Sequence, residues 1–107
     1  LASITAYSDE RKKSNWSDLS DTFIEELAEV KSGTFDRIDL DVRQAGVSAQ
    51  SLQKILPEAV LEDNDGILSV AYGNAALVSA VELAKEVVKL KQLVASLSEK
   101  IDLLERK

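Results

Sequence analysis

The chain has 107 residues, 45% of them hydrophobic, with 19 acidic against 13 basic side chains, a formal charge of -6 and neither cysteine nor histidine. That length makes one domain with a small core. The acidic balance excludes a general binder of phosphate backbones, which needs a basic excess on at least one face. Without Cys or His there are no disulfides, thiolate nucleophiles, Ser-His pairs or ordinary structural zinc sites. Any covalent chemistry rests on Ser, Thr, Lys or a carboxylate.

No run of residues is long and apolar enough to cross a bilayer, and no signal-peptide pattern opens the chain. The start at Leu1, without a Met, is what a piece of something longer would show. The first feature is the cluster Tyr7-Ser8-Asp9-Glu10-Arg11-Lys12-Lys13, the only basic concentration near the entrance of an acidic chain. Such residues collect in solvated turns. Alternatively, Ser8 is a nucleophile and Lys13 its base, which requires the Lys13 pKa to fall by about three units from the free value, on the order of 4 kcal/mol of environment.

Thr22-Phe23-Ile24-Glu25 reads as a capping box opening a helix of about three turns to Val30, with Phe23, Leu27 and Val30 on one face. Gly33 ends that helix in this reading. Phe35 to Val42 then alternates apolar and charged residues as a half-exposed strand would, with one slip in the pattern. Gly46 to Gln50 predicts a short strand running into a helix over Ser51 to Leu56, stopped by Pro57, the only proline. Val60–Glu62 and Ile67–Val70 flank Asp63-Asn64-Asp65-Gly66, where Asp-Gly supplies the positive φ angles of a tight hairpin turn. A calcium loop fails there, because aligning Gly66 with the sixth loop position puts Leu61 at the first ligand and Tyr72 where a bidentate Glu belongs. The four glycines form neither a P-loop nor a dinucleotide fingerprint, so neither metal nor cofactor is implied.

From Asn74 onward there is no Gly or Pro, and the apolar residues fall on a 3-4 spacing. Val87, Val94 and Ile101 at a, with Leu83, Leu90, Leu97 and Leu104 at d, give about four heptads of coiled coil. The helix would be about 50 Å long, too long for so small a globular part to cover. Branched residues at a with Leu at d lean toward two strands. Leu77, Val81 and Val88 fall off the seam, which predicts that the first half of the helix packs on its own head through them. Beyond Leu90 only other copies of the helix are there to touch. The expected fold is α+β, a small mixed helix and strand head with a β-hairpin, followed by a long C-terminal helix.

Ser8-Asp9-Glu10-Arg11-Lys12-Lys13 resembles the S-D-x-R-x-K entrance of the intramolecular chaperone auto-processing domain found at the C-termini of phage tailspikes, tail fibres and endosialidases. The resemblance continues through Phe35, Ala45-Gly46-Val47-Ser48-Ala49-Gln50, Leu56-Pro57-Glu58, Asp65 to Tyr72 and the terminal coiled coil, in the right order. It implies a parallel homotrimer that registers three copies of an upstream fibre or spike in the host cytoplasm during virion assembly and then releases itself. Residues 1–7 would be the end of that client, 8–73 the chaperone head and 74–107 the trimerisation helix.

By the same resemblance Ser8 is the nucleophile and Lys13 the general base, with Arg11 and Gln50 as supporting motif residues and Tyr7, Ser8 and Asp9 spanning the cleavage site. Ala71 stands where the family commonly has Asp or Asn, and Ser51 where it often has Glu. Attack by Ser8 on the Tyr7 carbonyl closes a five-membered ring, whereas attack on its own carbonyl closes a strained four-membered one. Within one chain the Tyr7-Ser8 bond is therefore favoured. The competing functions are a non-catalytic coiled-coil oligomerisation module and a self-cleaving regulatory domain of a membrane-bound transcription factor.

Overall fold

The computed structural model describes residues 5–107; the first four residues of the segment read as the end of a client lie outside the described residues. In chain order it has a one-turn 3-10 helix at Glu10–Lys12, α1 at Phe23–Leu27, β1 at Ser32–Arg37, β2 at Val42–Val47 and α2 at Ala49–Gln53. A second 3-10 turn at Pro57–Ala59, β3 at Val60–Glu62, β4 at Leu68–Val70 and α3 at Tyr72–Glu105 complete it. The α+β organisation and the long terminal helix are as expected.

Helix α1 is shorter than its sequence predicts and lacks the capping box. Thr22 makes no side-chain cap; its hydroxyl donates instead to Glu26 Oε1 at 2.7 Å, leaving Glu25 out of the exchange. The chain then tightens through i to i+3 bonds, with Glu29 N–H donating to the Glu26 carbonyl and Val30 N–H to that of Leu27, both at 3.1 Å. Such bonds satisfy carbonyls at a helix end.

The alternation over 35–42 belongs to a hairpin, not to one strand. β1 and β2 pair antiparallel from Ser32 opposite Val47 to Arg37 opposite Val42. Gly33, expected to end α1, lies inside β1 at φ +142°, a conformation that favours glycine. Reversal occurs over 38–41, where Asp41 takes φ 48°, as a short polar side chain tolerates. An Arg37–Asp39 ion pair of 2.6 Å braces the turn. The slip in the alternation, at the adjacent charges Asp36 and Arg37, lies inside β1, the alternation itself runs on through the turn, and Ile38 at its tip is 98% exposed.

α2 begins two residues earlier than predicted, because Ser48 is its cap: Ser48 Oγ accepts from Ser51 N–H at 3.3 Å. Gly46 and Val47 accordingly finish β2 instead of forming a strand of their own. The second hairpin lies where the sequence puts it, with Val60 opposite Val70 and Glu62 opposite Leu68. Its turn is wider than the two-residue form. Asp63 Oδ1 accepts from Asp65 N–H at 2.8 Å and Ile67 N–H at 3.0 Å, and Gly66 alone takes positive φ, 80°.

Phe23, Leu52, Leu56, Ala59 and Ala75 form the buried core, flanked by partly buried Leu19, Ile24, Leu27, Val47, Val60 and Val70. α3 starts at Tyr72, has 34 residues and is therefore about 51 Å long. It carries the chain well beyond this core: the radius of gyration is 19.6 Å, against roughly 13 Å for a compact chain of this length. No helix among the described residues is long and apolar enough to cross a membrane.

The head meets α3 on a face the sequence did not single out. α1 and the Pro57–Ala59 turn pack on α3, and Ala71 N–H donates to the Ala59 carbonyl at 2.8 Å. Ala75 is buried, and Ser79, Glu82 and Glu86 continue the same face half-buried. Leu77, Val81 and Val88, expected to hold the head, stay 68%, 47% and 52% exposed. Small side chains at 75 and 79 let the head approach closely, which the larger residues would not. Leu83, Val87, Leu90, Val94, Leu97, Ile101 and Leu104 are also exposed, so the whole heptad seam is unpartnered in the single chain.

Candidate active site

Ser8 and Lys13 are five residues apart, too far to meet on an extended segment. One tight turn brings them together. Asp9 starts it: its Oδ1 accepts from Arg11 N–H at 2.9 Å, while Lys12 N–H donates to the Asp9 carbonyl and Lys13 N–H to the Glu10 carbonyl, each at 3.0 Å. With Asp9 and Lys13 both in extended conformations, the chain doubles back and the Lys13 ammonium donates to Ser8 Oγ. Tyr7, Ser8, Asp9, Lys12 and Lys13 line an open recess around this contact.

Arg11 acts on the turn, not on the serine. Its Nε and Nη2 grip both oxygens of Asp9, at 3.1, 3.3 and 2.8 Å. The Arg11 side chain first, and the Arg11 backbone N–H second, hold the Asp9 carboxyl below the ordinary aspartate range. Asp9 in turn raises the guanidinium of Arg11. The ionised Asp9 is thus the form that closes the turn and presents Ser8 to Lys13.

All of these side chains are exposed. Among the described residues Lys13 also has Trp16 beside it, whose ring centroid lies 5.7 Å from Nζ, within the range at which a ring face attracts an ammonium. Sequence reasoning passed over Trp16, although Lys-x-x-Trp places an aromatic ring three residues from the proposed base.

Gln50 is not brought to the dyad. It sits in the first turn of α2, exposed, on a groove of about 850 Å³ between the two hairpins that Phe35, Gly46, Ile67 and Tyr72 also line. Near that groove are two contacts with no sequence signal beyond the residues themselves. Tyr72 Oη accepts from Val47 N–H at 3.2 Å, which docks β2 on the start of α3. Ser51 Oγ accepts from Lys31 N–H at 3.1 Å and donates to the Ser48 carbonyl at 2.9 Å. The departure from the motif at Ser51 therefore has its own use here, tying the strand entrance to α2.

Chemically, a serine hydroxyl in contact with a lysine amine can be a nucleophile with its base, provided the amine gives up its proton and the hydrogen bond reverses. Comparison with known proteins adds the context. The family model described as Chaperone of endosialidase, a family classed among the peptidases, matches residues 8–61, beginning at Ser8. The chain is 34% identical over 96 residues to the long tail fiber protein Gp37 of Enterobacteria phage M1, and equally to that of Enterobacteria phage Ox2. Each alignment covers 78% of this chain and 38% of the relative, so the chain spans well under half the length of the tail fibre proteins it matches. These matches make the chain a member of the Chaperone of endosialidase family, related to phage long tail fibre proteins.

Proposed function

We propose that the chain is an intramolecular chaperone that trimerises and registers an upstream phage fibre or spike and then releases itself by cleavage of the Tyr7-Ser8 bond. Residues 8–73 are the chaperone head in this reading and 74–107 the trimerisation helix. Its setting is the host cytoplasm during virion assembly.

The observation that carries the chemistry is the Ser8–Lys13 contact. Once Lys13 is neutral, its Nζ takes the proton from Ser8 Oγ as the oxygen attacks the Tyr7 carbonyl carbon. The Tyr7-Ser8 C–N bond breaks, the proton passes to the departing Ser8 nitrogen, and an ester joins Tyr7 to Ser8 Oγ. Water then opens the ester, leaving a carboxylate on Tyr7 and the free hydroxyl and amine of Ser8. Holding nucleophile and carbonyl in one short segment supplies the proximity this reaction needs.

The exposed seam supports the assembly. Seven branched or leucine side chains on one face of a free helix need a partner, and identical helices supply one. The rival reading, a non-catalytic oligomerisation module, is favoured by the exposure of both dyad side chains. One experiment separates the two. In a chain extended upstream into its fibre, the parent releases a domain-sized piece while Ser8→Ala and Lys13→Ala release none and remain trimeric. Unchanged release by either variant would rule out the dyad.

A further inference from the structure

The upper half of α3 carries more exposed apolar surface than a coiled-coil seam uses. With Val87 at a and Leu83 at d, Leu77 and Ala84 fall at e and Val81 and Val88 at b. At roughly 100° per residue these positions form a second stripe beside the seam, on the side of a. Ala75 and Glu82 fall at c, and Ser79 and Glu86 at g, on the side of d. The head therefore covers the c and g side, and the stripe lies opposite it, exposed.

In a parallel coiled coil the g side of one helix faces the e side of the next, where opposite charges fix orientation and partner. This chain carries that pattern. Glu86 at g is followed five residues on by Lys91 at e, and Lys100 at g by Glu105 at e, so each pairs across the interface in register. A head riding on the c and g side of one helix is then set beside the e and b side of its neighbour. The stripe also has the right extent. After Val88 the e and b positions become Lys91, Ala95, Ser98 and Asp102, and the half-buried, head-facing residues end at Glu86. The second stripe runs only where heads run.

We propose that Leu77, Val81, Ala84 and Val88 of each chain are the docking face for the head of the neighbouring copy, so that every head is clamped between its own helix and the next one. This rests on the trimer reading given above and adds to it a specific contact between head and neighbour. It makes the fold of each head depend on the presence of the next chain, beyond what the seam alone provides.

The test uses the full chain with Val81→Glu and Val88→Glu together, and Ala95→Glu as a control at the same heptad position below the heads. All three side chains lie off the seam, and Val81 and Val88 are exposed in the single chain, so the folded monomer tolerates them. In sedimentation equilibrium the double variant should weaken trimerisation by about tenfold or more, and Ala95→Glu should leave it unchanged. Hydrogen exchange at concentrations that keep the double variant assembled should show faster exchange over 19–30 and 57–60, the segments that hold the head. A trimeric parent whose double variant is equally tight, with unaltered exchange, overturns this inference and leaves the trimer reading standing. Equal weakening by Ala95→Glu overturns it too, by assigning the effect to the helix alone. A monomeric parent overturns both readings.

Discussion

The docking of the first hairpin on α3 depends on the absence of one carbon atom. A Cβ built on Gly46 falls 2.5 Å from Tyr72 Oη, closer than real contacts allow, and 3.5 Å from the ring carbon that bears the hydroxyl. Gly46→Ala must therefore push the hydroxyl away and break its hydrogen bond from Val47 N–H. Losing that bond costs about 1 kcal/mol, and the displacement of the ring raises the total to about 1–2 kcal/mol. Tyr72→Phe alone removes the same bond, for about 1 kcal/mol. In the Tyr72→Phe background the new methyl meets the ring of residue 72 and Phe35 Cε1, each at the ordinary contact distance of 3.5 Å. Gly46 does not take positive φ, so Gly46→Ala there should be neutral or stabilising by up to about 1 kcal/mol through the unfolded chain. The assay is urea unfolding followed by circular dichroism at one fixed protein concentration, since the stability of an oligomer depends on concentration. A double-mutant cycle should give a coupling of about 1–3 kcal/mol. Additive losses would show that Gly46 and Tyr72 do not meet, and that the hairpin is not docked on the helix in this way.

Other expected outcomes follow from the site and the seam. Lys13→Arg should abolish self-release measured by the mass of the fragment, because a guanidinium keeps its proton and cannot act as base. Leu97→Asp places a carboxylate from every chain into one d layer, at several kcal/mol for each unpaired buried charge, and sedimentation equilibrium should find monomers where the parent gives trimers. In the extended chain the same substitution should slow release, so that the chaperone leaves only after registering its client; release at the parental rate would show that assembly does not gate cleavage. Asp9, titrated by NMR, should protonate below the usual aspartate value, and Arg11→Ala should bring it back up. Because the folded value is the lowered one, the turn's contribution is present at neutral pH and is lost as pH falls through it.

Several elements were legible in the sequence because a single physical rule governed them. The absence of Gly and Pro after Gly73 and the 3-4 spacing located α3 to within two residues, and Asp65-Gly66 located the second hairpin. The first hairpin was hidden because Ile38 and Leu40, both apolar, occupy the turn, so the chain looks like one strand where it reverses. At α1 the expected Thr22–Glu25 exchange lost to a hydroxyl contact with Glu26 one residue further on. The face that α3 turns to its head could not be read from hydrophobicity. Close approach selected the small residues Ala75 and Ser79 over the larger Leu77 and Val81. At the site, the serine, the lysine and their spacing were visible. The bend that brings them together was not, because it depends on the Asp9 carboxylate accepting from Arg11 instead of from solvent.

The most direct measurement of the central claim is the intact mass and N-terminal residue of the piece released from a chain carrying its upstream fibre. Attack by Ser8 on the Tyr7 carbonyl predicts a fragment that begins with a free Ser8, present in the parent and missing in Ser8→Ala. A parent that stays whole under conditions where it is trimeric, or a fragment that begins at any other residue, would contradict it.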